Sequence, residues 1–413
     1  MMNNLILFDD ENWTSFLPLT FTRPIGELRI GIDTIREKWE YALAGKASYI
    51  TKDHLTKKYP ITIKSENILI NGSVLPTRKL ELLIKDLKVN EAILMHDQLI
   101  AAKIDDKQFI KMQETNELDS FKGIELGDSE EDVIMQLTSP TQLFSKNDFV
   151  LRKDFERITA GRKSEPLPSS NQLIGSADQI FIEKGATVEA CIFNTKTGPI
   201  YIGHDVLIME GAMIRGPFAA LDHTVVKMGA KVYGATSLGP YCKIGGEVNN
   251  VVMYACSNKA HDGYLGNAAI GEWCNLGADT NASNLKNNYD EVKLWSYATE
   301  SFVSTGLQFC GLVMGDHSKT GINTMLNTGT VIGVSTNVFG DGFPRNFIPS
   351  FAWGGPAGYT TYKIEKALET CERVYARRGM ELTKEDADIL TYIYHDSKKY
   401  RTWEKPTSGK TSK

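Results

Sequence analysis

Two textures of apolar and polar residues divide the chain. Up to about Arg162, short apolar runs alternate with charged amphipathic stretches. Residues 4–8 (NLILF), 67–70, 91–95 and 99–104 read as strands. Residues 31–44 and 76–87 carry apolar positions at helical spacing, with Pro76 suited to a first helical turn. Strands interleaved with helices predict an α/β sheet with parallel strands over 1–163. Residues 164–171, SEPLPSSN, have the Pro and Ser content of a linker.

From about Ile180 the charged helical stretches disappear and a period of six takes over. Ile202, Ile208, Ile214, Ala220, Val226, Val232, Leu238 and Ile244 keep an aliphatic side chain at every sixth position, and mostly small residues, such as Ala212, Thr224, Ala230 and Cys242, sit four places later. The frame resumes at Ile270 and Leu276, and again at Met314, Thr320, Leu326, Ile332 and Val338. Hexads of this kind predict a parallel β-helix over 172–350, three strands to a coil, whose coils bury a core only by stacking. The frame breaks at 250–269 and 282–301, and breaks in a solenoid are expected to be loops on its outer face. Beyond 350 the pattern is helical: 361–378 stops at Gly379, Thr383 with Asp386 predicts a cap for a helix over 384–398, and the polar end, 405–413, is expected to be disordered.

Composition narrows the partners. The net charge of −5 and the lack of a long basic run argue against nucleic acid. The four-residue apolar core Leu5–Phe8 is too short for a leader or a membrane span, so a cytoplasmic protein with no membrane partner is expected. Six cysteines without C-x-x-C spacing predict reduced, buried thiols.

Residues 259–284, KAHDGYLGNAAIGEWCNLGADTNASN, give the frame its chemistry. Lys259-Ala260, His261, Tyr264-Leu265-Gly266, Ile270-Gly271, Asn275-Leu276-Gly277-Ala278 and Asn284 resemble the acetyltransferase motif of the bifunctional UDP-N-acetylglucosamine pyrophosphorylase/glucosamine-1-phosphate N-acetyltransferase family. That resemblance implies a left-handed β-helix and a homotrimer formed through it. It also implies acetyl-CoA along the outer wall as acetyl donor, with glucosamine-1-phosphate as acceptor. An amine attacking a thioester must lose a proton, and a histidine titrating near neutrality is the natural acceptor, so His261 is the candidate base. Tyr264, Asn275 and Asn284 are candidates to orient the sugar phosphate. Lys231 stands where the family carries an arginine for the phosphate, and Asn249 where it carries a lysine.

In the N-terminal half, residues 16–39 hold Thr22-Arg23-Pro24, Arg29 and Lys38 and resemble a divergent, Bacteroidetes-type sugar nucleotidyltransferase domain of Rossmann type. The glycine-rich loop of the standard enzymes is missing, which makes Arg23, Arg29 and Lys38 the candidate nucleotide-phosphate ligands. Ser73 occupies the place of the metal-binding aspartate. Asp9 and Asp10, at the end of the first strand, and Asn147, ahead of Phe155-Glu156-Arg157, are the candidate Mg²⁺ ligands. The implied overall reaction is N-acetylation followed by uridylyl transfer from UTP to give UDP-N-acetylglucosamine. Two alternatives use the same scaffold: a trimeric nucleotide-binding regulatory protein, and a zinc enzyme drawing on His204, His223, His261 and His317.

Overall fold

The computed structural model describes residues 2–115, 121–127 and 134–404. Contacts divide the chain into two compact units. Unit 1 comprises the chain to Phe16, Thr22–Arg29 and Asp33–Ser139; unit 2 comprises Leu17–Phe21, Ile30–Ile32 and the chain from Pro140 on.

In unit 1 the apolar runs form the strands their pattern predicts: β1 (Asn3–Phe8), β2 (Gly45–Ile50), β3 (Glu66–Asn71), β4 (Glu91–Met95), β5 (Gln98–Asp105) and β6 (Lys122–Leu126). Their order in the sheet is β2-β1-β3-β5-β4-β6. β1 is parallel to β2 and β3, and β4 to β6, but β5 runs antiparallel to both neighbours. The all-parallel expectation fails there because His96 and Asp97 both adopt positive φ (51° and 61°), a two-residue turn that folds β4 and β5 into a hairpin. Helix α1 (Ile35–Ala42) starts at Thr34, whose hydroxyl accepts from the Glu37 N–H while the Glu37 carboxylate accepts from the Thr34 N–H. Helix α2 (Arg78–Asp86) is capped by Thr77, so Pro76 precedes the cap instead of lying in the first turn.

Unit 2 is a parallel β-helix whose walls are the hexads. One wall stacks Ile182, Ile202, Ala220, Leu238, Met253 and Ile270; the second Val188, Ile208, Val226, Ile244 and Lys259; the third Phe193, Ile214, Val232, Val248, Leu265 and Ala282. The aliphatics of these columns form one continuous buried core. At the corner leading into the second wall, Asp205, His223, Tyr241, Cys256, Trp273 and His317 all have positive φ, one per coil. A side chain in this region is uncommon, and here each coil uses one to make the tight turn.

The break at 250–269 is not an outer loop. The prism continues through it with shorter coils: the register steps eighteen residues from Ile214 to Val232, sixteen from Val232 to Val248 and seventeen from Val248 to Leu265. The second break is a true insertion, since Ala282 pairs next with Leu326, and it carries an antiparallel hairpin, Lys293–Ser296 with Ser301–Ser304. Residues 164–171 are extended along the first coil: Ser164 Oγ accepts from the Ile182 N–H, and the Asn171 amide bonds Val188 and Cys191. Helix α3 (Asn147–Thr159), which the sequence groups with the N-terminal half, makes its contacts within unit 2. After a short hairpin (Ala352–Gly355 with Gly358–Thr361) come α4 (Ile364–Ala376) and α5 (Lys384–Asp396), the latter capped by Thr383 as its pattern predicts. The expected disordered end, 405–413, lies outside the described residues. All six cysteines are free and buried.

Candidate functional site

The corner between the second and third walls carries His261. In most coils four residues make this turn, as in Lys227–Ala230; the coil before His261 makes it with Gly245 and Gly246 alone. A side chain on Gly246 would meet the backbone of His261, Asp262 and Gly263 within 3 Å, so the shortened corner lies directly against the histidine turn. Lys259 fills the prism at this level. It occupies an interior aliphatic position beside Ile244, is 1% exposed, and donates from Nζ to the carbonyls of Gly245 (3.1 Å), His261 (2.7 Å) and Asp262 (3.2 Å). Burial pushes its ammonium down to about 8, against the pull of Asp262 and Asp279. The turn is thus pinned from inside, and the His261 side chain stands exposed on the outer edge.

Three residues on, Tyr264 enters the third wall with its ring outside, since Leu265 points into the core. Its hydroxyl lies over Gly266, 2.3 Å from where a Cβ would be, close to the side-chain amides of Asn249 and Asn284. Asn284 Nδ2 in turn donates to Asn267 Oδ1 (2.7 Å). Burial raises the Tyr264 pKa, while the two amides oppose that rise. The candidates Tyr264 and Asn284 are therefore brought together on one polar floor beside the His261 corner. Lys231 is exposed in the same column, paired with Glu247, which pairs with Tyr264, so it stands two strands away, about 10 Å along the wall. Asn275 is not part of this floor: it bridges Asn258 and Lys319 on the second wall. Asn249 faces Gly266 across the wall, beside the tyrosine.

In unit 1 the sheet order reverses at β1, with β2 on one side and β3 on the other, and the carboxyl ends of β1 and β3 form the crevice where such sheets bind ligands. Asp9 and Asp10 follow β1, and Asn71 and Ser73 lie at the end of β3. Asp10 Oδ2 accepts from the side chains of Asn12 (2.9 Å), Asn71 (2.8 Å) and Gln98 (2.8 Å), and Oδ1 from the Asn12 N–H. Asn71 Oδ1 takes the Ser73 hydroxyl (2.6 Å), and Gln136 closes the ring to Ser73 and Gln98. Asp9 accepts from the Ile25 N–H (2.8 Å) and Thr51 hydroxyl (2.5 Å), yet burial lifts its pKa to about 7. These donors do not fit a Mg²⁺ ion as arranged: Asp10 has its lone pairs occupied by amides, and burial disfavours the charged form of Asp9. Asn147 belongs to unit 2, fully buried, with its amide committed to Gly31, Ala235 and Ser237. Arg23, Arg29 and Lys38 are buried rather than displayed; Arg29 faces Glu37, and Lys38 donates to the Asp33 carbonyl.

The sugar nucleotidyl transferase family model matches residues 5–163. The bifunctional protein GlmU of Trichodesmium erythraeum is 33% identical over 28% of this chain and 21% of its own length. Over the matched stretch the chain is similar to that protein. A second relative, the bifunctional sugar-1-phosphate nucleotidylyltransferase/acetyltransferase of Sulfurisphaera tokodaii, is 30% identical over 34% of this chain and 35% of its own. The chain thus spans about a fifth to a third of the length of these relatives in the matched regions. Among solved structures, an Arabidopsis UDP-N-acetylglucosamine acyltransferase aligns at 14% identity and a TM-score of 0.26, covering 57% of this chain and 91% of that one.

The four histidines proposed for zinc do not converge. His204 bonds the Lys184 carbonyl, His223 stacks on Tyr241, and His317 is buried against Trp273, Tyr375 and Cys371. Among the described residues no three His, Cys, Asp or Glu side chains are grouped to hold a metal ion, and no helix is long and apolar enough to cross a membrane. Sequence reasoning missed Lys259 as the pin of the corner. The hexad count breaks across 250–269, and only the pairing of Lys259 with Ile244 places it in the interior column.

Proposed function

We propose that the solenoid transfers an acetyl group from acetyl-CoA to the amine of an amino-sugar phosphate, with glucosamine-1-phosphate as the acceptor. The observation that carries this reading is the convergence of Tyr264, Asn284, Asn249 and Asn267 over Gly266 beside the pinned His261 corner. The floor offers hydroxyl and amide groups to sugar hydroxyls, and Lys231 offers a cation to the phosphate. His261 accepts the amine proton as the C–N bond forms; the C–S bond then breaks and the departing thiolate takes a proton. The same outer edge exposes Met228 (69%) and Ile322 (72%), large apolar side chains that favour a neighbouring prism, in keeping with a trimer.

His261→Ala is expected to lower acetyl transfer to glucosamine-1-phosphate by about a hundredfold or more while leaving the melting temperature unchanged. Product formation followed by mass is the test, and near-wild-type rates in the variant would remove His261 from the role of base.

For unit 1 a second reading has specific support. The crevice at β1 and β3 suits a nucleotide sugar, but Asp10, with its oxygens held by side-chain amides, and the buried Asp9 favour binding without uridylyl transfer. Rapid Mg²⁺-dependent release of pyrophosphate from UTP and N-acetylglucosamine-1-phosphate would restore the transfer reading.

A further inference from the structure

At the far end of the first wall the prism closes under a cluster of aromatic rings. The last strand there, Phe347–Ile348, pairs with Val331 and Ile332 and has no further strand on its other side among the described residues. Ile348 points into the core, so Phe347 faces outward. Trp295, from the insertion hairpin, stacks on Phe347 at 4.3 Å. Trp403, from the C-terminal turn, stacks on Tyr359 at 5.6 Å. Glu300 ties the insertion to the same C-terminal stretch, accepting from Lys399 Nζ (2.6 Å) and the Tyr400 hydroxyl (3.2 Å). A solenoid needs a cap at its open end, and large rings are effective filler.

A cap and nothing more would pack solid. Here the rings surround a pocket of about 250 Å³, lined also by Arg345 and Lys399. Two of its lining residues carry a buried polar atom with no hydrogen-bond partner among the described residues, Trp295 Nε1 and Tyr359 Oη. A third such atom, Tyr297 Oη, belongs to a ring packed edge-on to Phe347 (5.5 Å) and Tyr400 (5.4 Å). Interior polar groups are costly to leave unpaired, and three of them around one pocket point to a ligand that pairs them. Arg345 is exposed and has no acidic partner among the described residues, while Glu300 is held by Lys399 and Tyr400.

These features restrict the occupant. The volume lies below the roughly 300 Å³ at which sites for drug-sized ligands begin, so it suits a single substituted ring and not a nucleotide. Each stacked pair is already in contact, which leaves no slot for a flat base between its rings. A pyranose fits better. Its C–H edges lie against the negative faces of aromatic rings, and its hydroxyls both donate and accept, so they satisfy an indole N–H and a phenol alike. Arg345 and Lys399 add a preference for negative charge. Residues 405–413 of the chain itself, with three lysines and no acidic side chain, do not meet that preference. We propose that this pocket binds a monosaccharide bearing an anionic group, phosphate or carboxylate, with its ring against Trp295 and Tyr359 and its anion at Arg345. The site is separate from the floor around Tyr264 and stands whether or not the solenoid transfers acetyl groups.

The test titrates the full chain with glucose 1-phosphate, glucuronate, glucose and inorganic phosphate, read by calorimetry and tryptophan fluorescence. The variants are Arg345→Gln and Tyr359→Phe. At least one of the two anionic sugars should bind the wild type more tightly than glucose or phosphate does and change the fluorescence, and which of them binds separates phosphate from carboxylate recognition. Arg345→Gln should weaken that sugar about tenfold. Tyr359→Phe should weaken it roughly fivefold yet melt no lower than the wild type, because the hydroxyl it removes has no partner within the protein. A fall in its melting temperature would show that the hydroxyl is already engaged and that the rings are a cap alone. Equal binding by the wild type and both variants puts the sugar elsewhere and overturns the pocket. So does a failure of both anionic sugars to bind, or phosphate binding as tightly as either.

Discussion

At the scale of single residues, the polar floor around Tyr264 depends on a glycine without a Cβ. Tyr264 can lay its hydroxyl between Asn249 and Asn284 only because Gly266 has no Cβ; one added there would sit 2.3 Å from that oxygen and 2.7 Å from Asn284 Nδ2. Gly266 does not adopt the left-handed region, so alanine is conformationally acceptable and the conflict is purely steric. Gly266→Ala is expected to raise the KM for the amino-sugar phosphate about tenfold with little change in melting temperature, since the displaced groups are on the outside of the wall. Steady-state kinetics beside a melting curve decide it; an unchanged KM means that the floor does not hold the sugar. Tyr264 and Asn284 were legible from sequence because they stand in one contiguous motif. Their partners Asn249 and Asn267 were not. Whether an asparagine one coil away faces a tyrosine depends on coil length, and the seventeen-residue step from Val248 to Leu265 is invisible to a count by sixes.

At the scale of elements, local turns decided what periodicity could not. The hexad walls were readable because each aliphatic sees only the residues stacked on it, a repeating environment. The hairpin at His96-Asp97 was not, because this pair lacks the glycine of the Asn-Gly or Asp-Gly dipeptides that signal such a turn. The His261 corner is the element with the most at stake. Lys259→Met keeps the apolar stem but leaves the Gly245 and His261 carbonyls without a donor inside the prism, a loss of about 1–3 kcal/mol at pH 7. The pH dependence carries a further signature. The folded chain binds the Lys259 proton only up to about pH 8, whereas an unfolded lysine keeps it to its ordinary value near 10.5. Between these values the unfolded chain holds more protons, so wild-type stability gains with rising pH relative to the variant, and below pH 8 the difference is flat. Denaturant midpoints of the two proteins from pH 7 to 10.5 would show it, and parallel curves across that range would mean that the amine is not buried as described.

For the molecule as a whole, the boundary between units does not coincide with a point on the chain. Unit 2 draws Leu17–Phe21 and Ile30–Ile32 out of the N-terminal stretch. The Gly31 N–H bonds Asn147 Oδ1 at 2.7 Å, the Ile32 N–H bonds Asp154 Oδ2 at 2.8 Å, and Phe21 packs edge-on to Tyr297 at 5.5 Å. Asn147 and Asp154 are buried at 0% and 4% exposure, so removing their donors strands polar groups in an interior. Sequence reading placed Asn147 at a metal because spacing to Phe155-Glu156-Arg157 was the only handle available; its real partners lie 116 and 88 residues away at Gly31 and Ala235. A chain begun at Pro140 therefore retains every hexad but is not the native solenoid unit. Two lost hydrogen bonds to buried groups, at about 1–3 kcal/mol each, should lower its melting temperature by several degrees relative to the solenoid transition of the full chain. A co-expressed fragment of residues 2–139 should restore that transition, because it supplies the Gly31 and Ile32 donors. Calorimetry of the fragment with and without its complement tests the point. A Pro140-initiated chain that melts with the full protein would show that the two threaded segments add nothing to the stability of the prism, and that the N-terminal stretch can be detached without cost to the β-helix.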